Sequence, residues 1–285
     1  MHSQLREVKM TTVQASNTAA LDMEREIFAE QRRNRRNALQ ATWALRVLWL
    51  SLFLGAWYLA SRRGIVDPLF ISTPEDVGRA FVDQLTDSTF WIDVRSTFGG
   101  AMTGLLIGAT LGVLSGVILS RSEILNRAAA PFLTLLNSLP RPALAPIFIL
   151  WFGLGMVPKA LVAASIVYFV LLTSTASALR GIDHDVDMLA RSMSMSAWQR
   201  FVKIEFPSAL PAIVGGLRLA AVYSVLGAVL SEMVGAYTGL GQRLVTMTNN
   251  FQVADSFAVL LAMGLMSMLL DAGISLFQKI VQKRT

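Results

Sequence analysis

The chain has 285 residues, 54% of them hydrophobic and only 15% charged, and its mean hydropathy is +0.53; a soluble domain carries about 25% charged residues. It has no cysteine and only His2 and His184, which excludes disulfides, thiolate metal sites, a cysteine nucleophile and a multi-histidine metal centre. The net charge of +6 comes from Lys and Arg flanking apolar runs, a pattern that sets membrane orientation rather than nucleic-acid binding.

Residues 1–43 read as a polar cytoplasmic tail, with Arg32, Arg33, Arg35 and Arg36 clustered near its end. Its first twenty residues are expected to be disordered, and Leu21–Leu39 can form a helix. Roughly forty polar residues precede the first apolar run, so a cleaved signal peptide is not expected. Residues 44–285 form the membrane domain. A hydrocarbon core of ~30 Å needs about twenty apolar residues per helix. That predicts six spans, near 44–61, 97–120, 129–153, 157–179, 209–236 and 256–278. The third is interrupted by Pro140, Pro142 and Pro146. The expected fold class is an all-α transmembrane, six-helix polytopic bundle.

The segment 62–96 falls on the outer side. Thr73-Pro74-Glu75-Asp76 supplies a capping residue, a proline for the first helical position and acids for the first turn. Val77, Phe81 and Leu85 follow at helical spacing, so a short amphipathic helix is predicted on the outer surface. In span two, Gly100, Gly104, Gly108, Gly112 and Gly116 recur every four residues. Such a stripe lets a second helix approach closely or forms a smooth wall of a path, and packing is favoured. Span five repeats it with Gly216, Ala220, Ser224 and Ala228.

Basic residues fix the orientation. Arg121 and Arg127, then Arg180, Arg191, Arg200 and Lys203, then Lys279, Lys283 and Arg284 all fall on the side of the Arg-rich tail. Both termini are therefore expected to be cytoplasmic. The other side holds 62–96, a short turn with Lys159, and a 237–255 loop with Arg243.

Charge inside a span costs ~2.5–3.5 kcal/mol near the helix centre and so faces protein or water. Arg141 either faces a path, where it suits an anion, or caps carbonyls freed by the prolines. Arg218 is placed to snorkel toward the cytoplasm. Glu232 forms a gate or pairs with an Arg of its own bundle, the pairing being favoured. Asp271 takes an interfacial position. Asn137, Ser138, Tyr168, Thr173 and Ser177 are weaker candidates for lining a passage.

Asp183–Pro207 is too long for a connector between neighbouring helices, for which about two to eight residues suffice. Leu189, Met193, Ala197, Phe201 and Ile204 form an apolar stripe. Asp183, Asp185 and Asp187 suit the start of one helix. Ser196 and Gln199 form a capping box for a second, and Pro207 is expected to stop it. The stripe must be buried against the bundle's underside or a soluble partner.

The string from Met188 to Ala220 resembles the cytoplasmic signature of permease subunits of binding-protein-dependent ABC importers. That signature is Glu-Ala-Ala, three residues, Gly, nine residues, Ile, any residue, Leu-Pro. It falls on Met188, Leu189, Ala190, Ser194, Ile204, Phe206 and Pro207 with the spacing intact. The nitrate/sulfonate/taurine group is also similar at Ser138-Leu-Pro-Arg-Pro-Ala-Leu-Ala-Pro146, Trp151-Phe-Gly-Leu-Gly155, Glu232-Met-Val-Gly235 and Gly239-Leu-Gly241. Met188, Leu189 and Ser194 depart from the family's Glu, Ala and Gly. Ser194 implies a turn that either avoids a strongly positive φ or tolerates its cost.

The resemblance implies a type I ABC importer permease fold in the bacterial plasma membrane. It implies a docking segment for the ATPase made of Met188, Leu189, Ala190, Met193, Ser194, Phe201, Ile204 and Pro207. Two ATPase subunits, a second permease copy and an external solute-binding protein are the implied partners. ATP and Mg are implied on the ATPase, with no cofactor on this chain, which lacks G-x-x-x-x-G-K-[ST]. The implied cargo is a small anionic or polar solute such as a sulfonate, taurine or nitrate. An ATP-independent secondary transporter or channel would need an inverted repeat and coupling-ion residues at mid-membrane. A membrane-embedded enzyme would need clustered catalytic side chains. The sequence favours neither.

Overall fold

The structure is a computed structural model that describes residues 38, 40–63, 70–182, 188 and 192–282. It divides into Met1–Asp67 and Pro68–Thr285. Residues 1–37 and 39 of the expected tail and most of Asp183–Arg191, including Leu189 and Ala190, lie outside the described residues. All regular elements among the described residues are helices.

In the first unit, α1 (Gln40–Arg62) is an apolar helix of 23 residues. Arg46 stacks on Trp43 at 5.0 Å and Arg62 on Tyr58 at 5.2 Å, one pair near each end of the helix. Aromatic and basic residues at both ends suit a helix that crosses a bilayer and anchors at its interfaces.

The second unit contains α2 (Pro74–Thr86), α3 (Ser88–Arg121), α4 (Glu123–Ser138), α5 (Ala145–Phe152) and α6 (Met156–Arg180). It continues with α7 (Ala197–Val234), α8 (Leu240–Asn249) and α9 (Val253–Gln282). Thr73 caps α2 by accepting from the Asp76 amide, with Pro74 in the first turn, as its sequence dictates. Val77, Ala80 and Gln84 of α2 are buried, and Gln84 donates to the Asp255 carbonyl at 3.3 Å at the start of α9. The amphipathic helix is thus pinned to the bundle.

The core is the α3–α6–α7 contact. A Cβ on Gly104 would lie 2.5 Å from the Ala163 Cβ, and one on Gly108 would lie 2.6 Å from the Ala164 carbonyl oxygen. No side chain fits there, so the stripe is packing, not a path wall. Val167, Leu171, Ala220, Val225 and Ala228 fill the space behind it.

Four sequence-based boundaries change. α3 starts at Ser88, nine residues before the predicted span, because Asp87 caps it and its polar first turns are held by tertiary partners. The 237–255 loop contains α8, whose short mixed sequence gives no apolar run to read. The third span is two helices, α4 and the segment Arg141–Phe152, bent by 84°. Leu139 and Pro140 are extended there, and the ring of Pro140 disfavours the helical region for Leu139 before it. Pro207 stops nothing. α7 runs from Ala197 through it, because Phe201–Glu205 form a π-helical turn in which the Phe206 amide donates to the Phe201 carbonyl. The wider turn accommodates a proline ring that would crowd an ordinary α-turn.

Candidate functional site

Three places gather the polar and unpartnered groups. The first is a buried knot at the Val234 end of α7. The Glu232 carboxylate, fully buried, accepts from Lys159 Nζ, Thr97 Oγ1 and the Gly241 amide, each at 2.9 Å. Lys159, 2% exposed, also donates to Ser96 Oγ at 2.7 Å and to the Thr238 carbonyl, which uses all three of its protons. Gly239 (φ 133°) and Gly241 let the α7–α8 turn close over the carboxylate; a Cβ on Gly241 would meet the Val229 carbonyl oxygen at 2.6 Å.

Around this knot, Arg243 donates to Asp87, Asp93, Thr89 and Gln84, and the Gly239 amide donates to Asp93 at 2.7 Å. Hydrogen bonds from Thr89, then from Arg243, hold the Asp87 carboxyl down at a pKa of about 2. Glu232 is therefore paired within its bundle, but with Lys159 rather than an arginine, and Lys159 sits in the first turns of α6 rather than in a free turn.

A second pair was also missed. Arg218 has a partner on another helix: its Nε and Nη2 grip the two oxygens of Asp271 on α9, both at 2.9 Å. The same fork explains Asp271, read alone as interfacial. Charge partners on separate helices carry no sequence signature.

The second place is a cleft of about 560 Å³ between the broken span, α6 and α7, lined by Asn137, Arg141, Phe169, Thr173, Tyr223 and Leu226, among others. Arg141 Nη1 donates to the Ser165 carbonyl at 2.5 Å and Nη2 to Asn137 Oδ1 at 2.7 Å. Its guanidinium lies 4.6 Å from the Phe169 ring centre. Arg141 thus ties the broken span to α6 and also borders the cleft. Tyr168 borders an adjoining cleft of about 420 Å³ that shares Arg141. The Ser138 hydroxyl turns back to the Thr134 carbonyl at 2.8 Å. Neither Arg218 nor Glu232 borders either cleft. Tyr223, unmarked in the sequence, lines the first of them.

The third place is the start of α7 and the turn before it. Ser196 and Gln199 form the expected capping box, with bonds of 3.2 and 3.0 Å. Ser194 has φ 55°, so the turn does demand the left-handed region and the serine bears its cost. Met188, Met193, Trp198 and Val202 are exposed, Met193 by 62% and Trp198 by 72%. Phe201 is not part of that surface: Arg121 stacks on its ring at 4.3 Å, and its centre lies 5.7 Å from that of Phe206. Glu205 receives Arg121 at 3.2 Å and Arg200 at 2.8 Å, tying the π-turn to the end of α3. Ile204 and Pro207 are half-buried beside this turn. The free apolar surface therefore rests on two methionines, a tryptophan and a valine. Trp198 escaped the sequence reading because it lies off the four-residue stripe.

Residues 104–285 match the family model described as "Binding-protein-dependent transport system inner membrane component". The formylaminopyrimidine transport permease protein ThiX of Halalkalibacterium halodurans is 29% identical over 234 residues, 82% of this chain and 93% of that protein. The taurine transport system permease protein TauC of Escherichia coli is 23% identical over 236 residues, 81% of this chain and 86% of that one. Among solved structures, a chain of the MetNI methionine ABC transporter aligns with a TM-score of 0.61 at 20% identity, covering 70% of this chain and 99% of its own.

Proposed function

The chain belongs to the inner membrane components of binding-protein-dependent transport systems, and from that premise we propose that it forms, with a second copy, the path of an ATP-driven importer. Both termini face the cytoplasm, in keeping with the basic residues beside α1, α3 and α9. The turn and first turns of α7 then project toward the cytoplasm, and Met188, Met193, Trp198 and Val202 seat in a groove of each ATPase subunit. This exposed apolar patch, standing at the family's signature position, is the observation that carries the reading.

No charge is offered at Met188, where relatives of the resemblance carry Glu, so docking relies on apolar packing. The latch of Arg121, Arg200 and Glu205 passes movement of the docked segment to α3 and α7. ATP and Mg sit on the partners, whose closure rocks the two permease copies between inward and outward access. The cargo is a small polar or anionic solute of the kind named for the relatives, taurine or formylaminopyrimidine. An external binding protein delivers it.

The test is ATP hydrolysis by the reconstituted complex in liposomes. Solute-loaded binding protein should raise the rate severalfold over the same proteoliposomes without it. An unchanged rate, with all subunits assembled, would refute the importer.

A further inference from the structure

Three cations carried by the long apolar helices and the broken span are treated unequally. Lys159 is neutralised by Glu232, and Arg218 by Asp271. Arg141 is not. Its acceptors are two main-chain carbonyls and the Asn137 amide oxygen, all uncharged. Among the described residues no carboxylate lies within ion-pair reach of it.

Its depth makes this costly. The Ser165 carbonyl it binds belongs to the tenth of the 25 residues of α6, roughly 14 Å along that helix at ~1.5 Å per residue. A lone guanidinium at that level is tolerated where water or a counter-charge reaches it. Three of its five N–H protons are engaged by Ser165 and Asn137. The remainder are free to meet an acceptor. Across the same cleft the Tyr223 hydroxyl has no partner among the described residues, and Thr173 adds a polar edge. The Phe169 ring lies against the guanidinium, and Leu226 adds an apolar side chain to the lining.

We propose that this cleft is the mid-membrane station of the transported solute, where Arg141 meets an oxyanion (carboxylate or sulfonate) and Tyr223 and Thr173 border the remainder of the molecule. The inference rests on the path reading and adds to it a location and a charge requirement. Arg141 thereby does two jobs with different edges of one fork, since it holds the bent span together and offers its spare donors to the anion. The station need not be tight, because a solute in transit must also leave.

The cysteine-free sequence permits a direct test. Thr173→Cys places one thiol in the cleft of the full chain. Its reaction is followed by mass with two methanethiosulfonate reagents of similar size, one carrying a sulfonate and one a trimethylammonium. The sulfonate reagent should react faster, by about tenfold relative to both reagents' rates on free cysteine. Adding Arg141→Gln should abolish or invert that preference, and Arg141→Lys should retain most of it. Equal rates in all three backgrounds, or a thiol that neither reagent reaches, would overturn the proposal. Recovery of Arg141→Lys as a single species guards against reading misfolding as loss of charge. The permease alone suffices for this measurement. Failure of ATPase coupling would therefore appear in the liposome experiment and not here.

Discussion

The two ends of the bundle solve opposite problems. At the Lys159–Glu232 end, two ions are buried and both the ammonium and the carboxylate find their partners within the chain. At the Trp198 end, large apolar side chains stand exposed and a serine holds a left-handed turn. A closed end of this kind fixes the relative positions of α3, α6, α7 and α8. An open end is complete only when something else covers it. The contrast separates residues whose loss should unfold the chain from residues whose loss should leave it folded and idle.

The largest effect should come from cutting the knot on one side. Glu232→Ala leaves a buried ammonium without its counter-ion, for which ~3–5 kcal/mol is typical. The variant should give little monodisperse protein in detergent and a strongly lowered Tm. Replacing both partners, as in Lys159→Met with Glu232→Gln, should be milder than Glu232→Ala alone. If the double variant is the worse of the two, the pair does not act as a unit.

A smaller effect is expected at the open end. Ser194→Gly removes the strain of φ 55°, on the order of 0.5–1 kcal/mol after the greater backbone freedom of glycine is counted. Amide exchange in the turn at residues 192–199 should slow while the global Tm stays unchanged. Faster exchange would mean that Ser194 makes a contact glycine cannot replace.

The smallest effect is a pH dependence at the rim of the knot. Asp87 is held near a pKa of about 2 in the folded chain, below its ordinary 3.8. Its contribution is thus fully present above pH ~4 and is lost as pH falls through about 2. Asp87→Asn keeps an acceptor for the Thr89 amide but cannot titrate. The difference in Tm between wild type and Asp87→Asn should shrink between pH 5 and pH 2. A constant difference would assign the Arg243 contact no role in stability.

Much of this fold is legible in the sequence because its causes are local. Thr73-Pro74, the Ser196–Gln199 box and the glycine stripe each specify a geometry within one or two turns. What could not be read is tertiary. Lys159 and Glu232 sit on different helices, as do Arg218 and Asp271, and nothing near either residue announces its partner. α8 is too short and too mixed to show a span, and a π-turn cannot be inferred from a proline that ordinarily ends helices. At the proposed docking site, the helix start at Ser196 was legible from its capping box. Its exposed face was not, because the stripe that includes Phe201 turns partly inward to Arg121.

On the proposed function, the open end docks an ATPase. Its most direct test is co-purification of the tagged permease with its ATPase after Met193→Asp and Trp198→Asp are combined. Both side chains are largely exposed, so the permease itself should change by no more than about 0.5 kcal/mol. The expected result is a monodisperse permease of wild-type Tm that recovers no ATPase, while wild type recovers it in full. Undiminished recovery by the double variant would contradict the claim and leave the exposed patch to another surface.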